Sequence, residues 1–481
     1  MFLRQITDSS LAQNAYLIGC QRSGEAIIVD PERDLDRYFA VAAEQGLKIT
    51  AVAETHIHAD YLSGARELVE RHGAIAYLSA EGGPDWQFEW AKGDPRARFL
   101  KDGERFKVGN IEFRALLTAG HTPEHLSFLV TDFGGGADEP IALLSGDFLF
   151  VGDVGRPDLL ESAAGQAGVM EPSARTLYDS LRRTAELPEH LQILPAHGAG
   201  SACGKALGAV PVSVLGYERR FNGALREALQ GSREDFVKDI LSGQPEPPRY
   251  FARMKRDNRL GPALLPGGAL PQPRRIGAGE LGEWIDVPGR AVLDLRSDRK
   301  AFMNRHLKDA IFAPMAGGKL PVSAGSYLEE KTGLLLVLED ESQLDEAVRQ
   351  LVRIGLDEVV AWIPAGEALK AHEWTSALPR ISTAELAAAL ADEGSAVVLD
   401  VRGADEFAAG HVGGALNIAY TRLGARLAEI PNRRPVYVHC GSGLRASMAA
   451  SFLAAKGVEV VHVDGDYAAI ASRAAGTLPG S

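Results

Sequence analysis

Cysteine is scarce. The chain of 481 residues has three, Cys20, Cys203 and Cys440, odd in number and far apart. That excludes a disulfide framework and suits a reducing, cytoplasmic setting. Positive charge is in deficit as well: 51 Lys and Arg stand against 64 Asp and Glu, a net charge of −13. Such a surface offers no basic face to nucleic acid or an anionic membrane, so neither partner is expected. Long apolar runs are missing too, none reaching the ~20 residues that span a bilayer. The opening residues, MFLRQITD, lack a basic stretch followed by an apolar core, and no secretory signal is expected. Hydrophobic residues are plentiful at 46%, ample for the cores of roughly two to four domains.

The richest stretch for chemistry is ETHIHADYLSG at 54–64. Ahead of it, ITAVA at 49–53 reads as a buried strand. Behind it, 62–72 has helical spacing, with Ser63 as a cap and Gly73 as a stop. His56, His58 and Asp60 therefore lie on a loop at the C-terminal end of a strand, where α/β sheets place their chemistry. Two imidazoles and a carboxylate within five residues suit a borderline divalent metal. The plain alternative is a polar loop with solvated histidines. The same device recurs along the first part of the chain. Residues 16–19 and 26–30 read as paired strands, 34–45 as a helix, 74–78 as a strand, and 105–114 as a hairpin around Gly109-Asn110. A strand ending near Thr118 runs into His121 and His125, IALLSGD at 141–147 ends in Asp147, and LQILPAH at 191–197 ends in His197. Each alone is an ordinary packed or solvated residue. Four such strand ends in one domain point to a metal site.

Four motifs, THIHAD at 55–60, GHTPEH at 120–125, SGD at 145–147 and AHG at 196–198, together resemble the metallo-β-lactamase fold. The resemblance implies an αββα sandwich over residues 1–260, with metal held by loops at one edge. Its members hydrolyse lactams, thioesters or nucleic acids, or oxidise sulfur, so the fold leaves the reaction open. One departure narrows the choice. Two-zinc hydrolases of this fold, such as glyoxalase II, carry His directly after the motif's Asp, where this chain has Tyr61. A neutral phenol is a poor zinc ligand. The persulfide dioxygenases use one Fe(2+), and by that resemblance its ligands map to His56, His121 and Asp147, leaving the opposite face open to O₂ and substrate. His58, Asp60, Tyr61 and His197 then orient ligands or bind the persulfide. Three further stretches resemble the same branch: GDFLFVGDVGRPD at 146–158, which contains Arg156, AHGAGSACGK at 196–205, and PRYFARMKRDN at 248–258. In the last, Tyr250 and Lys255 either hold an anionic thiol carrier or belong to a surface amphipathic helix. Cys203 either handles sulfur or is a small buried hydrophobe.

GPALLPGGALPQP at 261–273 reads as a linker. Beyond it the chain repeats itself. AVLDLRSDRKAF at 291–302 with His306 and Ala310 matches AVVLDVRGADEF at 396–407 with His411 and Ala415. Each copy reads as a small α/β unit, 274–378 and 379–481, and both resemble the rhodanese fold. Only the second has a nucleophile. VYVH at 436–439 is a buried strand, a helix follows from Ala446, and CGSGLR at 440–445 lies between. Cys440 is thereby set among the backbone N–H groups of Gly441, Ser442, Gly443 and Leu444, near Arg445, a setting that cradles an anion or persulfide. The related phosphatase loop has five residues between Cys and Arg; this one has four, which resembles sulfurtransferases. In the first copy the equivalent strand runs into EDES at 339–342, so that copy reads as an inactive spacer or dimer surface.

The whole chain thus resembles a persulfide dioxygenase fused to an inactive and an active rhodanese domain. The resemblance implies a thiol persulfide and O₂ as substrates, sulfite and thiosulfate as products, and a homo-oligomer. The alternatives are a zinc thioesterase of glyoxalase II type and a non-enzymatic sulfur carrier whose metal is structural. The thiol carrier and the direction of sulfur flow stay open.

Overall fold

The computed structural model describes residues 1–474 apart from 163–167, 202, 206, 209, 392–396 and 432–434. Ala396, which begins the second repeat motif, and 475–481 of the last expected domain lie outside these residues. The chain divides into two compact units, Met1–Ala269 and Leu270–Ser481.

In the first unit, β1 (Phe2–Asp8), β2 (Gln13–Cys20), β3 (Glu25–Val29), β4 (Lys48–Ala53), β5 (Ile75–Ser79) and β6 (Ala97–Leu100) form one sheet in sequence order. A second sheet runs β12 (Ser213–Val214), β11 (Gln192–Pro195), β10 (Ala142–Gly146), β9 (Leu126–Asp132), β8 (Ile111–Leu117), β7 (Arg105–Val108). Strand alternation explains how they stack. Ala15, Leu17, Ala26 and Ile28 turn to one face and pack on Leu35, Tyr38, Leu68 and Val69 from the flanking helices. Their neighbours Tyr16, Ile18, Ile27 and Val29 turn to the other face, against Phe113, Phe128 and Val130 of the second sheet. Leu129 and Leu143 leave that sheet on its far side to meet Leu177, Leu181 and Phe236 of further helices. The layers are therefore helix, sheet, sheet, helix. Strands buried on both faces read as continuous apolar runs, and each buried Leu, Ile or Phe contributes about 1.5–3 kcal/mol.

The expected hairpin at Gly109-Asn110 is present, with Val108 opposite Ile111. The helix after the His loop is shorter than its spacing suggests, Ala65–His72, ending in left-handed Gly73. Ser63 accepts from the N–H of Ala65 at 2.9 Å, a capping contact from just outside the helix. The units divide inside the stretch expected as linker, and its first residues are tied to the first unit. Arg33 donates to the carbonyl of Ala263, Arg66 to Gly261, and Arg71 to Leu265, which is itself buried.

The second unit contains two five-stranded parallel sheets of identical strand order. Numbering strands within each copy, the order is first, fifth, fourth, second, third: Arg274–Arg275, Val359–Pro364, Gly333–Leu338, Arg290–Asp294, Ile311–Phe312 in one. In the other it is Arg380–Ser382, Val460–Asp464, Val436–His439, Val397–Asp400, Leu416–Asn417. The repeated motif has the same role in both. Asp294 binds Arg296, which reaches the carbonyl of Arg305; Asp400 binds Arg402, which reaches that of Gly410. His306 stacks on Phe302 and His411 on Phe407. Among the described residues no helix is long and apolar enough to cross a membrane.

Candidate metal centre and cysteine loop

Four strand ends of the first unit meet at one edge, as their spacing requires. β4 delivers His56 and His58, β8 leads to His121, β10 to Asp147 and β11 to His197. Ligand atoms of His56, His121 and Asp147 lie within 4.8 Å of one another, and all three residues are buried. His121 Nε2 is 3.5 Å from Asp147 Oδ2, and His56 Nε2 is 4.0 Å from the same oxygen.

The surrounding hydrogen bonds aim these groups. His121 Nδ1 lies 3.0 Å from the carbonyl oxygen of Arg156. A carbonyl only accepts, so Nδ1 carries the hydrogen and the Nε2 lone pair faces Asp147. Thr55 Oγ1 donates to Asp30 Oδ2 at 2.9 Å, leaving its own lone pair for His56 Nδ1 at 3.0 Å. His56 is thus held in the same tautomer. Both carboxylate oxygens of Asp147 are buried without a hydrogen-bond partner, and burial pushes its carboxyl up to about 6. Each such orphan costs about 1–3 kcal/mol. Two inward imidazole nitrogens and an uncompensated carboxylate are what a divalent cation requires, so the residues present fit a metal. His125 supports the group from behind: its Nε2 accepts from the N–H of Asp147 at 3.0 Å. Gly146, at φ +53°, makes that approach possible, because a Cβ there would sit 2.6 Å from His125 Nε2.

The remaining residues singled out from the sequence separate into groups. His58 turns its Nε2 away from Asp147, to Glu54 at 3.0 Å and Asp30 at 3.2 Å. Burial opposes its charge, but those carboxylates prevail and hold it protonated. Tyr61 is buried and donates to the carbonyl of Asp30 at 3.2 Å, its ring against His58. Burial raises its phenol well above the usual range, so no phenolate is available there. Asp60, His197 and Cys203 form a second close cluster, with ligand atoms within 4.8 Å. His197 Nε2 stands 3.4 Å from both Asp60 Oδ2 and Asp147 Oδ1, linking the two clusters. Burial, then the charges of Asp60 and Asp147, keeps the Cys203 thiol protonated. A cavity of about 370 Å³ opens beside His197, lined also by Gln5, Thr7, Asn14, Leu207 and Val210.

Of the residues named in the three further stretches, Arg156 is committed elsewhere. Arg156 is buried and forked onto Asp158, with a further bond to the carbonyl of Pro245. Its backbone, rather than its guanidinium, serves the centre. Tyr250 is buried at the start of the helix Phe251–Leu260. Lys255 is not on a surface face: its Nζ lies 3.5 Å from the centre of the Trp86 ring, and burial lowers it to about 8 despite the pull of Glu124. The helix acts through a residue that periodicity did not single out. Asn258 donates to the carbonyls of His58 and Tyr61 and accepts from the N–H of Ser63. Glu124 and Asp30 also escaped notice, although each grips the His loop through a backbone N–H, of Ile57 and Thr55 respectively. Asp30 left a trace, an acid ending the apolar strand IIVD; Asn258 left none, since its partners lie about two hundred residues away.

In the second unit the strand Val436–His439 ends at Cys440, and the helix Leu444–Ala455 begins four residues on. Cys440 Sγ accepts from the N–H of Gly443 at 3.1 Å and that of Ala446 at 3.4 Å. Arg445 stands at the loop, forked onto Glu406 at 2.6 and 2.8 Å. The corresponding turn of the first copy supplies its own anion: Asp340 accepts from the N–H of Ser342, and Gln343 from those of Glu339 and Asp340. Those amides are satisfied internally, leaving no cradle.

Comparisons with known proteins agree with this division. Residues 10–197 match the model of the metallo-beta-lactamase superfamily, and 382–473 that of the rhodanese-like domain. The chain is similar to the crystal structure of a metallo-beta-lactamase from Staphylococcus aureus, at 37% identity and a TM-score of 0.65, covering 76% of this chain and 99% of that one. It is 31% identical over 185 residues to a human hydroxyacylglutathione hydrolase-like protein, covering 38% of this chain and 54% of that protein's length. The structure of ETHE1 from Myxococcus xanthus overlaps at 28% identity and a TM-score of 0.43, covering 54% of this chain and 98% of that one.

Proposed function

We propose, for a chain that belongs to the metallo-β-lactamase superfamily and carries a rhodanese-like domain, a non-haem iron persulfide dioxygenase joined to a sulfurtransferase. The observation that carries this reading is which donors remain available. Tyr61 is spent on the carbonyl of Asp30 and His58 on Asp30 and Glu54, so His56, His121 and Asp147, two imidazoles and one carboxylate, are the residues that would hold the iron. Ferrous iron, one per chain, would supply O₂ activation there. The net reaction is R–S–S⁻ + O₂ + H₂O → R–SH + SO₃²⁻ + H⁺. The chain's own contribution is positional. Thr55 and the Arg156 carbonyl hold the two imidazoles, Asn258 and Glu124 hold the His loop, and the cavity beside His197 receives the thiol carrier. In the second half-reaction Cys440 takes sulfur, R–S–S⁻ + Cys440–S⁻ → R–S⁻ + Cys440–S–S⁻. It then passes that sulfur to sulfite as thiosulfate, regaining its thiolate.

The test is oxygen uptake with glutathione persulfide, read beside a metal assay. About one iron per chain with persulfide-dependent uptake is expected. A second reading, a zinc thioester hydrolase, draws on the Asp60, His197 and Cys203 cluster. That cluster gathers donors where a second metal would stand. The reading draws also on the relatives named as hydroxyacylglutathione hydrolases. Two zinc ions per chain with thioester turnover and no oxygen uptake would replace the first reading with the second.

A further inference from the structure

The copy without a cysteine reaches the loop of the copy that has one. Asp298 caps the short helix Arg299–Asn304 by accepting from the N–H groups of Lys300 and Ala301, which sets Arg299 at its first position. From there Arg299 Nη1 extends to 3.3 Å from Asp464 Oδ1 and 3.4 Å from His462 Nε2, both on the last strand of the other copy's sheet. Its guanidinium also covers Gly443 of the cysteine loop: a Cβ on that residue would lie 2.6 Å from Nη1 and 3.0 Å from Cζ. Gly443 has φ +90°, a conformation that glycine tolerates and other residues resist. Its peptides are held on every side. The N–H points at Cys440 Sγ, and the carbonyl accepts from Ser447 Oγ at 2.8 Å and faces His462 Nε2 at 3.1 Å.

The charges around the loop are unequal. Arg445 is neutralised by its own carboxylate, Glu406, through two bonds. Asp464 is shared by Arg299 and by Arg380, whose Nη1 is 3.5 Å from Oδ2. One acid between two guanidiniums leaves a net positive charge beside Gly443. Two more contacts fix the helix that carries the loop. The N–H of Phe312 donates to Ser451 Oγ at 2.9 Å, and the Tyr327 ring stacks on Phe452 at 4.3 Å.

We propose that Arg299 is a positioning residue for sulfur transfer at Cys440, seating the Gly443 peptide against the sulfur and lending the loop a positive field for anionic sulfur donors. The cysteine-less copy is then part of the transfer site rather than a spacer. This rests on Cys440 being the sulfur carrier. In the step concerned, Cys440–S⁻ attacks the outer sulfur of thiosulfate, the Sγ–S bond forms, the S–S bond breaks, and sulfite leaves with the electron pair: Cys440–S⁻ + S₂O₃²⁻ → Cys440–S–S⁻ + SO₃²⁻. The field of Arg299 favours the approach of the dianion.

The full chain tests it in two ways. In thiosulfate:cyanide transfer, Arg299→Gln should raise KM for thiosulfate by about tenfold, the scale of one pKa unit of lost interaction, with a smaller change in kcat. Arg299→Lys should recover part of that loss, since it restores the charge without the planar fork. Independently of any transfer, the rate of Cys440 alkylation by anionic iodoacetate relative to neutral iodoacetamide reads the local field. That ratio should fall in Arg299→Gln and rise in Asp464→Asn, which removes the shared acid. An unchanged ratio in Arg299→Gln overturns the proposal, as does a loss of transfer that Arg299→Lys leaves untouched. Absence of Cys440-dependent transfer in the wild type would remove the carrier reading instead, and the alkylation ratio would still judge Arg299. If Arg299→Gln does not fold, Asp464→Asn decides by the same ratio, a flat result counting against the proposal.

Discussion

Thr55 decides which nitrogen of His56 faces the metal position, because its hydroxyl is already committed as a donor to Asp30. Thr55→Val keeps the shape and removes that acceptor. Metal affinity, measured by chelator competition, should fall about tenfold, the usual cost of losing such a supporting bond. Asp147 makes the complementary case. Without metal its carboxylate is buried and uncompensated, so Asp147→Asn should abolish metal binding. The metal-free protein should at the same time be stabilised by about 1 kcal/mol in thermal melts. Tyr61→His supplies the imidazole that two-zinc hydrolases of this fold carry directly after the motif's Asp. Zinc recovered per chain should rise, with no gain in oxygen uptake.

At the level of elements, the His loop depends on a helix distant in sequence. The helix Phe251–Leu260 packs Phe251 and Met254 inward, and Asn258 on the same face makes three bonds to the loop backbone. Asn258→Ala leaves two buried carbonyls and one N–H without partners. It should cost about 2–4 kcal/mol of stability in denaturant melts and weaken metal binding, while Asn258→Asp should recover only the bond from Ser63. The four strand ends were legible in the sequence because a buried strand is a short apolar run and its end is marked by the first polar residue. The clamp was not, because helical periodicity reports which face is buried and not what that face meets. Tyr250 and Lys255 show the same limit: their helix is amphipathic as expected, yet Lys255 lies under Trp86 instead of at a surface.

At the level of the whole molecule, the two proposed half-reactions are assigned to different units and should separate by mutation. Cys440→Ser removes the only thiol in the transfer loop and leaves every metal ligand in place. Oxygen uptake should persist while the product shifts from thiosulfate towards sulfite, as followed by thiol-labelling chromatography. His56→Ala should do the reverse, ending oxygen uptake and sparing thiosulfate:cyanide transfer. Cys203, close to Asp60 and His197, is the control. Wild-type thiosulfate production by the Cys203→Ser, Cys440→Ser double variant, with no added sulfite, would show that neither thiol carries the sulfur.

The αββα core followed from the resemblance of the motifs to a known fold, whereas the sequence by itself determined the metal-type residues at the strand ends, the repeat and the one copy with a cysteine loop. These are local properties: apolar runs of strand length, turn residues at fixed offsets, and a cysteine placed before a helix N-terminus. Tertiary structure decided the rest. It turned His58 towards Asp30 and Glu54 rather than Asp147, committed Arg156 to Asp158, brought Cys203 to Asp60 and His197, and laid Arg299 of one repeat over Gly443 of the other. Each of these depends on how a side chain shares a limited set of buried hydrogen-bond and charge partners. Those partners come from segments far apart in the chain, and only packing fixes which of them meet.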